Sequence, residues 1–437
     1  MTFINEKYSS FSMIDIKTLR EDTQLVRDNM SRKGRHDISL IDDTLTLDSE
    51  YVTLLKREQD LRSERNKASE EINRLKKAGE DIKDAIVAMK AIPAKIKELD
   101  EKIQPLKSQI KSNLQKIPNI MHESVPQGKT DDDNIELERF GEPTQFDFEP
   151  VAHQVLATNL GMLAADDSAE TSGTGFYYMQ GGLALLNQAL IRYAIDTMVA
   201  NKFTYVETPL MLRANVVENV VDLDDRENQI YKIEGEDLHL IGTSEHSLIG
   251  RYLHKTVRPK DLPITQTSYS MCFRREKGAH GLDERGLFRT HQFNKVEMIV
   301  ICDPKDSASW YEKMQKITIE LFKGLGLPIR VLQMCTADLN DLKHIAIDVE
   351  AWSPRKKGYI EVASCSNLTN AQSLLLGIRA NGDGQKFIPH TLNNTAIATS
   401  RALVAILENF QTKNGTVKIP KVLHKYMYGM TELKKEE

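Results

Sequence analysis

Two long runs with a seven-residue spacing constrain the fold of this chain more than any other feature of its sequence. In the first run, apolar residues recur at Leu54, Leu61, Ala68 and Leu75. In the second run, the same spacing joins Ile82, Met89, Ile96, Ile103, Ile110 and Ile117, beside a second stripe of Ala85, Ile92, Leu99 and Leu106. Because heptad repeats of this kind are typical of coiled coils, the sequence predicts two long helices that pack together.

The polar stretch between the two runs contains Gly79, a residue that readily adopts the left-handed conformation that ends a helix. We therefore expect the chain to reverse there and form an antiparallel helical hairpin, whose second helix would be on the order of 50 Å long. Pro93 and Pro105 lie off the apolar stripes but inside this helix, and each should bend it. Heptads alone name no partner, so dimerisation of two chains explains the pattern equally well at this point.

The hairpin is more basic than the rest of the chain. Residues 56–116 hold 16 of the 58 Lys and Arg and 11 of the 63 Asp and Glu, a net charge of +5 against about −10 elsewhere. With 40% hydrophobic and 28% charged residues, the composition is that of a soluble globular protein. The overall charge of −5 argues against general coating of nucleic acid, whereas the local excess suits phosphate contacts.

Cysteine usage and the absence of long apolar runs predict a cytoplasmic protein. The four cysteines form no Cys-x-x-Cys pair and have no partner histidines at metal-ligand spacing, so we expect reduced thiols at Cys272, Cys302, Cys335 and Cys365. No apolar run approaches the roughly 18 residues of a membrane helix, and the first residues lack the features of a secretion signal. Residues 1–12 resemble an extension, which leaves Met13 as an alternative start.

A linker divides the chain into two predicted domains. Pro118 and Pro126, in IPNIMHESVPQGKTDDDN, end the second helix and begin the linker. We therefore predict an N-terminal domain at 1–118 and a second domain at 119–437. In the latter, strand-like segments such as FTYVETP, VEMIVI and YIEVAS alternate with helical stretches, which indicates an α+β fold.

Residues 271–301, MCFRREKGAHGLDERGLFRTHQFNKVEMIVI, carry most of the recognisable chemistry. Two apolar ends flank a charged, glycine-bearing loop, so the segment predicts a β-hairpin with a functional loop. Phe293 offers a face for a purine, and guanidinium groups suited to phosphate and carboxylate come from Arg274, Arg275, Arg285 and Arg289. ATP fits such a surface, although solvated cross-strand ion pairs would have a similar composition.

This segment resembles motif 2 of class II aminoacyl-tRNA synthetases, in the form found in the seryl-tRNA synthetase family. The resemblance continues in chain order through Pro209 of FTYVETPL, similar to motif 1, the Thr-x-Glu segment at 242–245, YIEVASCSN, and LNNTAIATSRALVAILEN, similar to motif 3. It spans roughly residues 13–426. It implies an antiparallel class II sheet flanked by helices and an enzyme that activates L-serine with ATP and transfers the seryl group to tRNA(Ser), with tRNA(Sec) left open.

The resemblance also implies roles for individual residues. Arg274 would bridge the serine carboxylate and the α-phosphate, Glu276 would contact adenine, Phe293 would stack on it, and Arg401 would hold the γ-phosphate. The implied serine site comprises Thr243, Ser244, Glu245, Arg274, Glu297, Asn393 and Thr395. The implied ATP site comprises Arg274, Arg275, Glu276, Thr290, His291, Gln292, Phe293, Glu361, Val362, Ala363, Ser364 and Arg401, with Mg²⁺ held by Glu361 and Ser364.

Amino-acid activation requires positioned charge more than a protein nucleophile. The carboxylate must lie in line with the α-phosphate while cations absorb the developing charge, a task for which arginines and Mg²⁺ suffice. A site that hydrogen-bonds a hydroxyl can reject alanine by about 10⁴ or more. The family resemblance further implies a homodimer with Pro209 at its interface and a tRNA partner contacted by the helical arm.

One segment departs from the family pattern. Where the family has an aromatic-Gln-x-Arg-Arg sequence, this chain has Ala371-Gln372-Ser373-Leu374-Leu375. Because Arg379 remains downstream, we expect altered contacts with the tRNA end or between subunits, not loss of activation. Two alternatives remain: a paralogue that kept the fold but lost activation, and a ligase that charges a carrier protein, which would lack the hairpin.

Overall fold

The structure is a computed structural model that describes residues 14–221, 226, 228–276 and 286–435. Arg285 and Met13, which the sequence singled out, lie outside the described residues. The chain divides into two compact units, Met1–Pro118 and Asn119–Glu437, and each is described by itself. Within the described ranges, no helix combines the length and the apolar character needed to cross a membrane.

The N-terminal unit is helical. Two short helices begin at aspartate caps, since Asp15 accepts a hydrogen bond from the Lys17 amide and Asp22 accepts one from the Leu25 amide. The helices are α1 (Ile16–Glu21), α2 (Thr23–Arg32), α3 (Ser39–Ala78) and α4 (Lys83–Leu114). Helices α3 and α4 pack on each other, with Arg62 of α3 lying 3.7 Å from Asp100 of α4. The predicted helical hairpin is therefore confirmed.

The heptad positions form the seam of this hairpin, more deeply in α4 than in α3. The stripe residues of α3 are half-buried, whereas its most deeply buried apolar side chains, Ile41, Tyr51 and Leu55, lie in the N-terminal half of the helix. In α4, the buried seam consists of Ile96, Leu99, Ile103 and Ile110. The predicted heptad seam is therefore confirmed, whereas the most deeply buried residues of α3 occupy positions outside its heptad stripe.

Gly79 makes the predicted reversal. Its φ of 74° is left-handed, and its amide donates to the Lys76 carbonyl while the Glu80 amide donates to the Leu75 carbonyl at 3.0 Å. This closing pattern satisfies carbonyls that the end of α3 would leave unpaired. Helix α4 continues through both Pro93 and Pro105.

The second unit is built on an eight-stranded sheet. Its order is β1-β10-β11-β12-β15-β9-β8-β4, and all neighbours are antiparallel except β4 and β8. These strands are β1 (Ile135–Phe140), β4 (Thr204–Tyr205), β8 (Ile264–Phe273), β9 (Gln292–Cys302), β10 (Ile329–Gln333), β11 (Ile345–Ser353), β12 (Gly358–Asn367) and β15 (His390–Ala398). The expected α+β class with an antiparallel sheet is confirmed.

Helices and small strand pairs surround this sheet. The helices are α5 (His153–Asn159), α6 (Ala165–Thr171), α7 (Gly181–Ala200), α8 (Ala214–Val220), α9 (Ser244–Gly250), α10 (Ser307–Gly324), α11 (Ala371–Leu376) and α12 (Thr399–Asn409). The small sheets comprise β2 (Leu163–Ala164), β3 (Tyr178–Met179), β5 (Met211–Leu212), β6 (His239–Leu240), β7 (Thr256–Val257), β13 (Arg379–Gly382), β14 (Gln385–Phe387), β16 (Val417–Lys418) and β17 (Glu432–Leu433). Helices α7, α10 and α12 pack on the central strands and share one hydrophobic core with them.

All four cysteines are free, as the sequence predicted, and all four are buried. Burial raises the pKa of Cys302 to about 12, and burial also raises the pKa values of Cys272 and Cys365. These thiols are therefore protonated at neutral pH and unreactive.

The predicted β-hairpin is formed by β8 and β9. Their register runs from Ile264 opposite Ile301 to Phe273 opposite Gln292. Because side chains alternate along a strand, β9 sends Val296 into the core and presents Phe293, Lys295 and Glu297 on the other face.

β-Bulges place further side chains on the face of the sheet that carries Phe293, Lys295 and Glu297. In β12, Glu361 pairs with Glu350 and Ala363 pairs with Val349, so Val362 is an extra residue. The bulge places Glu361 on the same face as Ser364, which strict alternation would forbid. A second irregularity follows Thr395 in β15.

Candidate active site

A cavity of about 440 Å³ opens on this face of the sheet. Strands β9, β11, β12 and β15, helices α8, α9, α11 and α12, and the segment that follows β8 line it. Fourteen of the predicted site residues lie along its wall: Thr243, Glu245, Arg274, Glu276, Thr290, Phe293, Glu297, Glu361, Val362, Ala363, Ser364, Asn393, Thr395 and Arg401. Residues separated by more than 150 positions in the sequence are thus brought into one site.

One group of contacting residues in the cavity wall, which we call the acid pocket, consists of Glu245, Glu297, Lys295, Gln372, Asn393 and Thr395. Glu245 stands in the first turn of α9, whose N-cap is Thr243. Its Oε1 accepts hydrogen bonds from Gln372 Nε2 at 2.7 Å and from Asn393 Nδ2 at 2.8 Å. Burial and the charge of Glu297 raise the pKa of Glu245, against the lowering effect of these donors.

The second carboxylate of the acid pocket is held by two other groups. Glu297 Oε2 lies 3.2 Å from Lys295 Nζ and accepts a hydrogen bond from Thr395 Oγ1 at 3.1 Å. Glu297 and Lys295 are both buried. The pocket therefore offers negative charge for a cation together with a hydroxyl and amides for polar contacts.

Arginine and aromatic side chains line the adjoining region. Arg274 follows the last residue of β8, and its guanidinium lies over the Phe293 ring at 5.5 Å from the centroid. Its Nε also donates to the Gly242 carbonyl at 3.4 Å. Near it, Arg289 Nη1 donates to Glu276 Oε2 at 3.1 Å, and Glu276 has a left-handed φ of 44°. Such a backbone is strained for a residue other than glycine and is often found at functional sites.

An ion pair also lines the cavity. Arg401 Nη1 lies 2.7 Å from Glu361 Oε2. Burial acts to raise the pKa of Glu361, but the charge and hydrogen bond of Arg401 hold it below its ordinary value. Before any ligand binds, the two side chains neutralise each other.

The residues beside this pair fit a hard cation. Asp348 of β11 pairs in register with Ser364 of β12, and Asp348 Oδ1 and Ser364 Oγ are buried without a hydrogen-bond partner among the described residues. Burial and the charge of Glu361 raise the pKa of Asp348. Within the described ranges, no set of three or more His, Cys, Asp and Glu side chains forms a complete metal site. Two carboxylates and a hydroxyl, from Asp348, Glu361 and Ser364, nevertheless suit Mg²⁺, which commonly uses one or two carboxylates together with substrate phosphates and water.

Four predicted residues do not line the cavity. The Ser244 hydroxyl donates to the Ser268 carbonyl, and Arg275 is held through its amide by the Gln229 carbonyl. His291 stacks on Phe176 with centroids 5.3 Å apart. Gln292 Nε2 contacts Met271 Sδ at 3.4 Å. These residues support the wall from behind or beside it.

Several lining residues were not predicted: Lys295, Asp348, Lys343, His246 and Gln372. Lys295 could have been found from its two-residue spacing to Glu297 on a predicted strand. Gln372 lies in the segment that departs from the family pattern, where its amide binds Glu245. The two leucines of that segment, Leu374 and Leu375, are buried in α11 and do not line the cavity.

Comparison with known proteins agrees with this geometry. A family model described as the tRNA synthetase class II core domain (G, H, P, S and T) matches residues 229–410, and one described as the seryl-tRNA synthetase N-terminal domain matches residues 13–121. The serine–tRNA ligase of Methanoregula boonei is 42% identical over 95% of this chain and 99% of its own length.

Solved structures give the same result. The seryl-tRNA synthetase of Pyrococcus horikoshii, crystallised with ATP, matches with a TM-score of 0.90 and 39% identity over 97% of this chain and 100% of its own. The cytoplasmic serine–tRNA ligase of Naegleria fowleri, in complex with AMP, matches with a TM-score of 0.84 and 30% identity over 95% and 96% of the two chains.

The antiparallel sheet, the β8–β9 hairpin and the cavity of arginines and carboxylates are those of a class II aminoacyl-tRNA synthetase. Within that class, the sequence identity to serine–tRNA ligases over nearly the whole chain and the match to the seryl-tRNA synthetase N-terminal domain identify the family. The chain belongs to the seryl-tRNA synthetase family, whose members are ATP-dependent ligases that join serine to tRNA.

Proposed function

We propose that the cavity binds L-serine in the acid pocket and ATP beside it, and that the serine carboxylate attacks the α-phosphate to form seryl-adenylate with release of pyrophosphate. The observation that carries this proposal is that the acid pocket adjoins Arg274, with Phe293 beneath its guanidinium. A carboxylate held by Arg274 would face the α-phosphate while the ammonium lies between Glu245 and Glu297. Positioning of this kind supplies much of the rate enhancement in transfers that need no protein nucleophile.

The phosphate end of the cavity would exchange its ion pair for ligand contacts. Arg401 would leave Glu361 for the γ-phosphate, and Glu361 would then hold Mg²⁺ with Ser364 and Asp348. Bound Mg²⁺ would neutralise charge that develops on the phosphate oxygens. Glu276 would contact adenine, and Phe293 would provide the face for the base.

Selectivity for serine would come from the polar groups of the acid pocket. Thr395 and Asn393 present a hydroxyl and an amide beside the two carboxylates. With alanine bound, the groups that pair with the substrate hydroxyl would be left unsatisfied, which costs far more than the loss of a methyl contact. Threonine would be refused by size.

In the second step, a hydroxyl of tRNA(Ser) would take the seryl group from seryl-adenylate, and AMP would leave. The heptad hairpin of α3 and α4, with its excess of Lys and Arg, is the proposed tRNA-binding arm, and residues 119–437 are the proposed catalytic domain. We further propose a cytoplasmic homodimer with Pro209 at its interface. Charging of tRNA(Sec) would be a separate question for the same assay.

Exchange of pyrophosphate into ATP, measured with serine, threonine, alanine and glycine, tests the first step. Charging of total tRNA with serine tests the second. Serine-specific exchange with charging is the expected result. Exchange without charging would count against the transfer step and implicate the arm or the leucines Leu374 and Leu375. Absence of exchange would favour a paralogue without activation.

A further inference from the structure

Lys295 is a buried cation without a role in the proposed contacts to serine and ATP. Only 7% of the residue is exposed. It lies two residues before Glu297 on β9, so both side chains emerge on the cavity face, where Nζ and Oε2 are 3.2 Å apart. A lysine is rarely buried unless it is paired, because its charge must be removed from water. Its position in the acid pocket therefore calls for an explanation.

The charges of the acid pocket balance only when Lys295 is included. Glu245 and Glu297 contribute two negative charges and Lys295 contributes one positive charge, so the pocket has a net charge of −1 when all three are ionised. This is the complement of one ammonium group. The other titratable groups that face the pair are Cys272 of β8, Arg274 just after β8, Cys365 of β12 and His246 of α9.

Of these neighbours, only Arg274 is charged at neutral pH. Burial raises the pKa values of both thiols, which therefore stay protonated. Burial, with the charges of Lys295 and Arg274, lowers the pKa of His246 to about 3, so its imidazole is neutral. Lys295 is thus the cation bound directly to a carboxylate of the pocket.

The hydrogen bonds leave room for a substrate. Among the described residues, each carboxylate receives its side-chain donors on a single oxygen: Oε1 of Glu245 from Gln372 and Asn393, and Oε2 of Glu297 from Lys295 and Thr395. The second oxygen of each carboxylate remains for an ammonium group to reach.

We infer that Lys295 is a positioning residue for serine: by pairing with Glu297 it keeps both carboxylates of the acid pocket ionised, so that the pocket carries the single negative charge that the serine ammonium requires. This inference rests on the proposed function, since it takes serine as the occupant of the pocket. Without Lys295, two like charges in one partly buried site would not both persist, and one carboxylate would bind a proton.

The direction of the pH effect follows from this arrangement. Ammonium binding needs both carboxylates ionised, so kcat/KM for serine is retained above the carboxylate pKa and lost as the pH falls through it. Burial and Glu297 already raise the pKa of Glu245, and Lys295 opposes that rise. We call the fall of kcat/KM at low pH the acid limb of the pH profile. In Lys295→Met the acid limb should move to higher pH by about 1 unit or more. At a pH between the acid limb of the wild type and that of Lys295→Met, kcat/KM of the variant should be about tenfold below that of the wild type.

The experiment measures serine-dependent pyrophosphate exchange by the full-length chain from about pH 5.5 to about pH 8.5. Lys295→Met is compared with Lys295→Arg, which keeps the charge, and with the double variant Lys295→Met/Glu297→Gln, which removes both partners. The acid limb should return toward the wild-type position in both, although the double variant stays less active. Lys305→Met is the matched control, because Lys305 pairs with Asp303 at the surface, 3.3 Å away.

The outcomes distinguish a positioning role of Lys295 from a purely structural one. An acid limb of Lys295→Met at the wild-type position, whatever the remaining activity, would overturn the inference and leave Lys295 a purely structural role. If Lys295→Met does not fold, Glu297→Gln alone decides, because removing that charge while Lys295 stays should move the limb to lower pH, and an unmoved limb would again overturn the inference. A wild-type chain without serine-dependent exchange would instead count against the proposed function.

Discussion

Thr395 provides the sharpest test of substrate choice. Its hydroxyl donates to Glu297 at 3.1 Å inside the acid pocket. Replacing it in Thr395→Val keeps the shape but removes the donor, so kcat/KM for serine should fall about 10- to 100-fold, the usual range for a hydrogen bond to a charged group. Alanine activation should change less, and the serine-to-alanine ratio measured by pyrophosphate exchange should therefore drop.

Thr391→Val is the matched control on the same strand. The Thr391 hydroxyl is buried and has no hydrogen-bond partner among the described residues, and Thr391 does not line the cavity. Its replacement should leave the serine-to-alanine ratio unchanged. An equal effect of both variants would mean that strand packing, not the hydroxyl of Thr395, sets the ratio.

The sequence predicted which side chains line the site mainly where they belong to a recognisable motif. Arg274, Glu297 and Arg401 were expected in the site and do line the cavity. The sequence could not reveal that Val362 is an extra residue in β12 and so brings Glu361 to the face of Ser364, because a bulge depends on pairing with β11. For the same reason Asp348, which reaches the site only through its register with Ser364, was missed.

Helix α12 carries Arg401 at one end and a buried anchor near the other. Glu408 is 1% exposed and lies 3.1 Å from His153 of α5 and 3.3 Å from Arg355, and it also accepts a hydrogen bond from Ser353. Burial acts to raise the pKa of Glu408, but these donors hold it below its ordinary value. A depressed folded-state pKa stabilises the fold above the unfolded pKa, near about 4.3, and that contribution is lost as the pH falls through the folded value.

Glu408→Gln should therefore lower Tm strongly at pH 7, because breaking a buried pair costs about 3–5 kcal/mol. The difference from wild type should shrink as the pH falls below about 4. Thermal unfolding at both pH values measures this. Glu320→Gln is the control, since that exposed carboxylate pairs with Lys323 three residues away and should change Tm little. A gap between wild type and Glu408→Gln that does not depend on pH would contradict the assigned charge.

Gly79 should matter only to the helical hairpin. With φ at 74° and open space around it, an added methyl meets no neighbour but strains the backbone by about 1–2 kcal/mol. In Gly79→Ala, amide hydrogen exchange near the reversal should accelerate while serine-dependent pyrophosphate exchange stays at the wild-type rate. Val87→Ala, at a side chain 68% exposed on the same hairpin, should accelerate exchange far less. Faster exchange throughout residues 119–437 would show that the two units are energetically coupled.

The sequence predicted that these segments are helices, but it did not predict which of their residues are buried. Heptads and a polar glycine were enough to predict α3, α4 and the reversal. They could not show that Leu55, and not Leu54, would be among the buried residues of α3, because that depends on how the base of the hairpin packs.

The division of the chain into two units predicts that its two reactions can be separated. Removing residues 66–96 and joining Arg65 to Lys97 by a short glycine-serine loop shortens the hairpin in register, since Arg62 lies opposite Asp100. Serine-dependent exchange should stay within about twofold of wild type, because the cavity belongs to the second unit. Charging of tRNA should fall at least about tenfold as phosphate contacts are lost.

The salt dependence of tRNA binding tests the role of the hairpin independently. If the hairpin neutralises phosphates, log affinity for tRNA should fall with log salt concentration by about 0.9 per duplex phosphate contact, and the shortened chain should show a smaller slope. Serine activation should hardly change over the same range. Equal salt slopes for the two chains would place the tRNA contacts outside the removed segment.

The four enclosed thiols make the native chain a convenient host for site-directed fluorescent labelling. Maleimide dyes react with exposed thiolates, and Cys272, Cys302, Cys335 and Cys365 are all buried. A cysteine introduced at Val87 would therefore be labelled selectively without first removing any native cysteine. The motion of the hairpin could then be followed by fluorescence in an otherwise unaltered enzyme as tRNA binds.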